Sequence, residues 1–344
     1  MKKVFYLFIL TMFLILSLNT YTLGMGARAL GMGGAYTALA EGPIAAFWNP
    51  AGLTRTKHIN IGLSLGMSGS DLELLQKANE EGFYFDYNEP FTLRMDAFAA
   101  VQLKNMGLSL LEKGFIDYNV DPKKFTAMQH GEMLFTMAFE IDALSLGGNL
   151  KFIKQEYAEA AEDQTGGQGY ELYSHGKGVG VDFGLLYKFG DLAAFGMKVA
   201  DVSTEVTVSG EGTNYTANSL SPTGYDEESF TIPEETKKID SLINMGLAIK
   251  PVKSLTLSAD IHKVGKEDQS YHLGAEQKVG PFALRFGYEK LYIFQEEYGI
   301  VKKAEEEGFS LGAGIDLYLI AADLAVREDS KGFTYVMGTA MIKF

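Results

Sequence analysis

Cysteine is absent from the 344 residues, so the chain has no disulfide framework, no thiolate metal site and no lipid-bearing N-terminal cysteine. Basic residues are also short: 30 Lys and Arg stand against 44 Asp and Glu, a net charge of −14. That balance repels phosphate backbones and excludes a nucleic-acid binder. The five histidines, His58, His130, His175, His262 and His272, lie in separate segments. No H-E-x-x-H pair or Cys/His ligand set occurs among them, which leaves neither a metal nor a cofactor site to assign and argues against an enzyme. Long hydrophobic runs are missing beyond the N-terminus; the best later candidate, Leu317 to Val326, is short and carries Asp323. A helical membrane protein is excluded, since a spanning helix needs about 20 apolar residues.

What is present starts with Lys2 and Lys3, followed by the apolar run Val4 to Leu18 and then small and polar residues. This pattern predicts a secretory signal peptide over residues 1–24, cleaved between Thr20 and Gly24.

From residue 58 to 344 the dominant period is two, which predicts an all-β domain. In "SLTLSADIHK", Leu255, Leu257, Ala259 and Ile261 share one face, and Thr256, Ser258, Asp260 and His262 share the other. The same split recurs in "INIGLSLGM", "LSLGGNLKF", "GVGVDFGLLYKF" and "FALRFGYEK". His58 is expected on the polar face with His262. An outward Leu257 and an inward Ser258 further predict that Arg is tolerated far better at Ser258.

A soluble sandwich alternates in the same way, so the connections have to decide. Tight links are expected at Lys104-Asn105, Asp142-Ala143, Gly190-Asp191, Pro251-Val252 and Gly280-Pro281. Between them fall long acidic inserts: residues 69–90, 113–131, 157–177, 202–240 and 292–308. Short turns at one end, long loops at the other and about fourteen strands near 10 residues describe a transmembrane antiparallel β-barrel of the bacterial outer membrane. The final strand, "FTYVMGTAMIKF", ends the chain on Phe344 and resembles the closing aromatic strand of such barrels.

One stretch fits neither helix nor strand. "GARALGMGGAYTALAEGPIAAFWNPAGL" concentrates glycine, proline and the lone Trp48 just before the first strand. It resembles the N-terminal segment of the FadL-like family of outer-membrane transport proteins and its PorV-like and TraF-like relatives. The match is carried by Gly26, Arg28, Gly31, Met32, Gly33, Gly34, Ala35, Ala38 and Ala40, then by Asn49, Pro50, Ala51, Gly52 and Leu53. Glu41-Gly42 departs from the aspartates often found in relatives.

The resemblance implies that residues 25–57 form a hatch, or plug, inside a barrel of residues 58–344. It further implies passive uptake of fatty-acid-like hydrophobic small molecules past that hatch, in contact with outer-membrane lipid. The alternative is a non-transporting, PorV-like barrel with a secretion partner protein. Independently of the resemblance, Gly31, Gly33 and Gly34 suit close backbone packing and positive φ, and Asn49-Pro50 suits a turn. Phe47, Trp48, Asn49 and Pro50 are the candidate ligand-path residues, although the same features would serve a fixed cork. The inward charges Lys151, Asp182, Lys188, Asp260, Arg285, Glu289, Asp323 and Arg327 have mixed signs, which suits a network bracing the plug better than an ion-selective ring.

Overall fold

The structure is a computed structural model that describes residues 25–69, 90–120, 123–162, 167–221, 224–265, 269–297, 300–330, 332 and 334–344. The signal peptide and most of the first long insert lie outside the described residues.

Sixteen strands form one antiparallel sheet. They are β1 (Ile59–Gly69), β2 (Phe91–Leu103), β3 (Met106–Val120), β4 (Lys123–Ile141), β5 (Leu144–Glu162), β6 (Gln168–Phe189), β7 (Ala193–Ala200) and β8 (Glu205–Ala217). The second half comprises β9 (Tyr225–Lys238), β10 (Leu242–Val252), β11 (Leu255–Val264), β12 (Ser270–Val279), β13 (Phe282–Glu297), β14 (Ile300–Asp316), β15 (Ile320–Asp329) and β16 (Thr334–Lys343). Fourteen of them close a ring. β1 pairs β16, β5 pairs β6, and β7 pairs β10, so the hairpin β8–β9 is left outside the circle. Closure satisfies every wall strand on both edges, as hydrocarbon requires.

The extra hairpin arises where β6 changes partner. Its second half, Phe183 to Phe189, pairs β7, whereas its first half, Gln168 to Val179, pairs β8. Asp201, at φ 56, turns the chain between those strands, and its backbone N–H is held by Asp182 Oδ1 at 3.0 Å.

The faces are those of a barrel in lipid. Leu65, Leu273, Leu284, Phe286, Leu311 and Leu324 are exposed, and Asn60, Ser64, Asn149, Lys151, Asp182 and Glu276 are buried. Alternation is therefore apolar outside and polar inside, inverted relative to a water-soluble sheet.

Three expectations change. The long inserts are mostly strand: β3 and β4 continue through 113–131, β5 and β6 through most of 157–177, and 202–240 holds the β8–β9 hairpin. Strands consequently run from 8 to 22 residues. Periodicity hid this because both faces of a strand beyond the lipid meet water, as the almost uniformly exposed β9 illustrates. The turn expected at Pro251-Val252 lies at Lys253-Ser254, because β10 extends through Val252. His58 precedes β1 and is exposed, so strand parity did not apply to it.

Candidate functional site

Residues 25–56 are folded inside the ring and almost wholly buried. The segment is too rich in glycine and alanine for a long helix. It forms only the short helices Ala27–Gly31 and Ala45–Trp48 and the 3₁₀ turn Pro50–Arg55. Pro50 starts the turn, where its missing N–H costs nothing. Asn49 caps it, its Oδ1 accepting from Ala51 N at 3.2 Å.

Glycines on the wall make room for this backbone. Cβ atoms placed on Gly147 of β5, Gly196 of β7 and Gly274 of β12 would lie 2.5 Å from Ala51 N, 2.5 Å from Thr37 O and 2.6 Å from Met32 O. Gly184 of β6 faces Asn49 and Pro50, Gly287 of β13 faces Gly33, and Gly312 of β14 approaches Gly31. Gly33 itself has φ +61 and lies against the Tyr288 backbone, so no other residue fits there.

Wall side chains hold the polar backbone of the segment. Asp260 Oδ2 accepts from the N–H groups of Tyr36 at 3.1 Å and Thr37 at 2.8 Å. Ser258 Oγ donates to Ala35 O at 2.8 Å, His272 Nδ1 to Gly33 O at 2.7 Å, and Asn149 Nδ2 to Ala46 O at 2.8 Å. Lys198 Nζ donates to Phe47 O at 2.6 Å. On β16, Thr339 Oγ1 accepts from Ala27 N at 2.8 Å.

Charge is balanced locally. Arg28 pairs Glu41 and also Glu276, at 2.8 Å; Arg285 pairs Glu276 and Asp323, both at 2.7 Å. Burial by itself would raise the Glu41 carboxyl, but the Arg28 and Arg55 guanidiniums outweigh it and hold it below its ordinary value. Burial pushes the Tyr36 phenol up to about 12. Along the β5–β6 wall, Lys151 bridges Asp182 at 3.0 Å and Asp201 at 2.5 Å. Arg327 pairs Glu289 and Glu306. Lys188 is set apart, joined to Glu140 at 2.9 Å and only half-buried.

The predicted site residues converge on one body but differ in exposure. Trp48 is buried, its indole N–H donating to Met25 O at 2.6 Å, with Tyr36 and Phe47 packed edge-on at 5.9 and 5.5 Å. Asn49 is fully buried, and its amide ties Thr37 O at 3.1 Å to Leu185 O at 3.0 Å. Phe47 alone of these is only partly buried, with the ammonium groups of Lys113 and Lys198 at 5.3 and 5.4 Å from its ring centre.

Glu276, Lys198 and His272 were missed, although inward parity was a readable signal for each, and Ser258 was placed inward without its contact to Ala35 O; which of them touches the segment depends on barrel closure. The letters Gly62-Leu63-Ser64-Leu65-Gly66 spell G-x-S-x-G. They lie within regular β1, and Ser64 Oγ meets Thr339 Oγ1 at 2.7 Å, so no nucleophile elbow exists there.

At the short-turn end, a cavity of about 790 Å³ opens beneath the segment, lined by Arg28, Pro43, Ile44, Gly62, Phe98 and Met341 among others.

No protein-family model and no curated protein sequence matches the chain. Solved structures do match over nearly full length. The CymD monoaromatic hydrocarbon channel superposes with a TM-score of 0.66 at 13% identity, covering 94% of this chain and 98% of that one. The Pseudomonas putida toluene transporter TodX gives 0.62 at 13%, covering 93% and 99%. A Pseudomonas aeruginosa FadL homologue gives 0.61 at 12%, covering 96% and 100%. The fold is that of the FadL-like outer-membrane barrels.

Proposed function

We propose that this chain resides in the outer membrane and carries out passive uptake of hydrophobic small molecules, with the segment from Gly26 to Leu53 acting as a hatch. The observation that carries the reading is the inverted barrel with its bore filled by a folded segment of its own chain. An apolar wall places the ring in lipid. The filled bore excludes ions and water-soluble nutrients from a free pore. The FadL-like fold, shared with channels described as carrying monoaromatic hydrocarbons and toluene, supports hydrophobic molecules as the cargo.

The hatch is held by many single hydrogen bonds to wall side chains and by close backbone packing, with no covalent tie. Each neutral bond contributes about 0.5–1.5 kcal/mol net and each bond to a charged group, such as Asp260 or Lys198, about 1.5–3 kcal/mol, so releasing a few of them costs less than unfolding the barrel. Phe47 is the hatch aromatic best placed to meet cargo, because it is partly exposed whereas Tyr36 and Trp48 are buried. Trp48, Asn49 and Pro50 serve as its footing.

The test is uptake of a radiolabelled monoaromatic hydrocarbon into cells or proteoliposomes that carry or lack the protein. Protein-dependent accumulation down the gradient is expected. Equal accumulation without the protein, together with a loss of secreted proteins in the null strain, would replace this reading with a secretion-assisting barrel.

A further inference from the structure

The β8–β9 hairpin stands outside the ring, yet it continues the outer face of β5 and β6. Register places Lys154 of β5 opposite Lys177 of β6, Lys177 opposite Thr207 of β8, and Thr207 opposite Thr236 of β9. Four side chains able to donate hydrogen bonds therefore stand in one row across four strands. By alternation they share the face of Phe152 and Val179. Lys154, Lys177 and Thr236 are exposed and Thr207 is half-buried. Lys151 and Asp182, both buried, belong to the opposite, lumenal face.

The row marks the outer edge of the lipid band. One step toward the short turns, Phe152 faces Val179, and both are exposed. Beside them on the hairpin Glu205 faces Lys238, a pair of opposite sign. One step the other way the face is polar, with Glu156, His175 and Ser209 opposite one another. Lys154 lies ten positions beyond Leu144, where β5 leaves its short turn. At a rise of about 3.3 Å per residue and a strand tilt of about 40°, that distance spans roughly 25 Å, the height of the apolar band of such barrels. The row thus meets lipid headgroups at the end remote from the short turns, which is the outer leaflet in the outer-membrane placement proposed above.

Two lysines directly opposite on one face repel each other. Lys154 is paired with Glu156 at 2.6 Å; among the described residues, the Lys177 ammonium has neither an acidic partner nor a hydrogen bond. Thr207 Oγ1 and Thr236 Oγ1 are 2.9 Å apart, so one hydroxyl hydrogen serves that pair and the other stays free to donate. What the row lacks is negative charge carried on several acceptor oxygens. We infer that it binds the headgroup of an outer-leaflet lipid bearing a phosphate monoester, whose acyl chains lie against Phe152 and Val179. A monoester carries about −1.5 to −2 charges near neutral pH and three acceptor oxygens, which suits two ammonium groups and a hydroxyl; a diester carries less charge. A free phosphate ion would meet the donors and leave the apolar step below them unused, so the ligand is the amphiphile. The inference needs only the outer-membrane placement and is independent of uptake.

The test uses the full chain purified in detergent, with native mass spectrometry reading the lipid adducts. The probes are dioleoyl phosphatidic acid, a monoester; dioleoyl phosphatidylglycerol, a diester; and dioleoylglycerol, which has no phosphate. Wild-type protein should bind phosphatidic acid at least tenfold more tightly than either of the others. Lys154→Gln combined with Lys177→Gln should abolish that preference, whereas Lys237→Gln, on the other face of the hairpin, should keep it. Heat-modifiable migration checks that each variant is a folded barrel. If the double variant does not assemble, the wild-type comparison of the three lipids decides by itself. Equal wild-type affinity for phosphatidic acid and either other lipid would overturn the proposal, as would a preference that survives in the folded double variant. Displacement of phosphatidic acid by inorganic phosphate at equal concentration would assign the row to a free anion and overturn the lipid. Cell fractionation that finds the chain outside the outer membrane would remove the placement, a failure distinct from any in lipid binding.

Discussion

Lys198 grips Phe47 twice: its ammonium donates to the Phe47 carbonyl at 2.6 Å and stands 5.4 Å from the centre of the Phe47 ring. One wall side chain thus closes the C-terminal turn of the helix Ala45–Trp48 and positions the most open aromatic of the hatch. A cation near a helix C-terminus is favourable. Asp182, 3.8 Å away, helps hold the Lys198 ammonium in place.

Lys198→Met should therefore loosen the hatch while leaving the ring intact. A hydrogen bond to a charged group contributes about 1.5–3 kcal/mol, so the expected result is a heat-modifiable barrel with a lower melting temperature and increased leak of small solutes. Lys198→Arg should restore most of both. Unchanged leak in Lys198→Met would mean that the grip on Phe47 does not hold the hatch.

The two faces of β11 should respond to charge in different ways. Leu257→Arg puts a guanidinium into lipid and should cost about 2–4 kcal/mol of barrel stability. Parity alone suggests that Ser258→Arg is cheap, but Ser258 is buried and bonded to Ala35 O. Its variant should assemble in the membrane yet expel the hatch, read as solute leak with normal heat-modifiable migration. Equal assembly defects for both variants would show that the faces are misassigned.

Trp48 is the only tryptophan, so its fluorescence reports on the hatch alone. Buried and bonded to Met25 O, it should emit at short wavelength and resist iodide quenching. Gly196→Val, whose side chain would meet the Thr37 carbonyl and the Ala38 backbone, should shift the emission to the red and admit the quencher. Emission unchanged in that variant would contradict the close approach at Gly196.

The Arg28–Glu41 pair sets a pH limit. Glu41 has a folded pKa below its ordinary 4.5, so its contribution is intact above that value and is lost as pH falls through the lowered one. Solute leak should stay flat down to about pH 4.5 and rise below it. Glu41→Gln should leak more at neutral pH and lose this acid step. A step near pH 6 in the wild type would point to another group.

Much of the ring was legible in the sequence. Leu255 to His262 declared its two faces, Lys104-Asn105 and Asp142-Ala143 marked turns, and Phe344 marked the closing strand. The segment was legible as an anomaly, because Gly31, Gly33 and Gly34 crowd into a stretch with neither the period of a helix nor that of a strand. The illegible parts were those where neighbours far apart in the chain decide. The strands through 113–131 and 157–177 break the clean alternation with polar and charged residues, and they are held by ladders and side-chain pairs such as Thr92–Asp117 and Lys124–Glu159 whose partners lie on other strands. The β8–β9 hairpin leaves the ring because β6 takes two partners, which no local pattern encodes.

The sequence by itself determined that this chain is a barrel in lipid with a glycine-rich segment to house, because period two, composition and turn residues act over neighbouring residues. Only the tertiary structure decided that Trp48 and Asn49 are buried while Phe47 stays partly exposed, and that Glu276 joins Arg28 across 248 positions. Those outcomes depend on closing the ring, which brings inward residues from strands distant in sequence around one segment of the same chain.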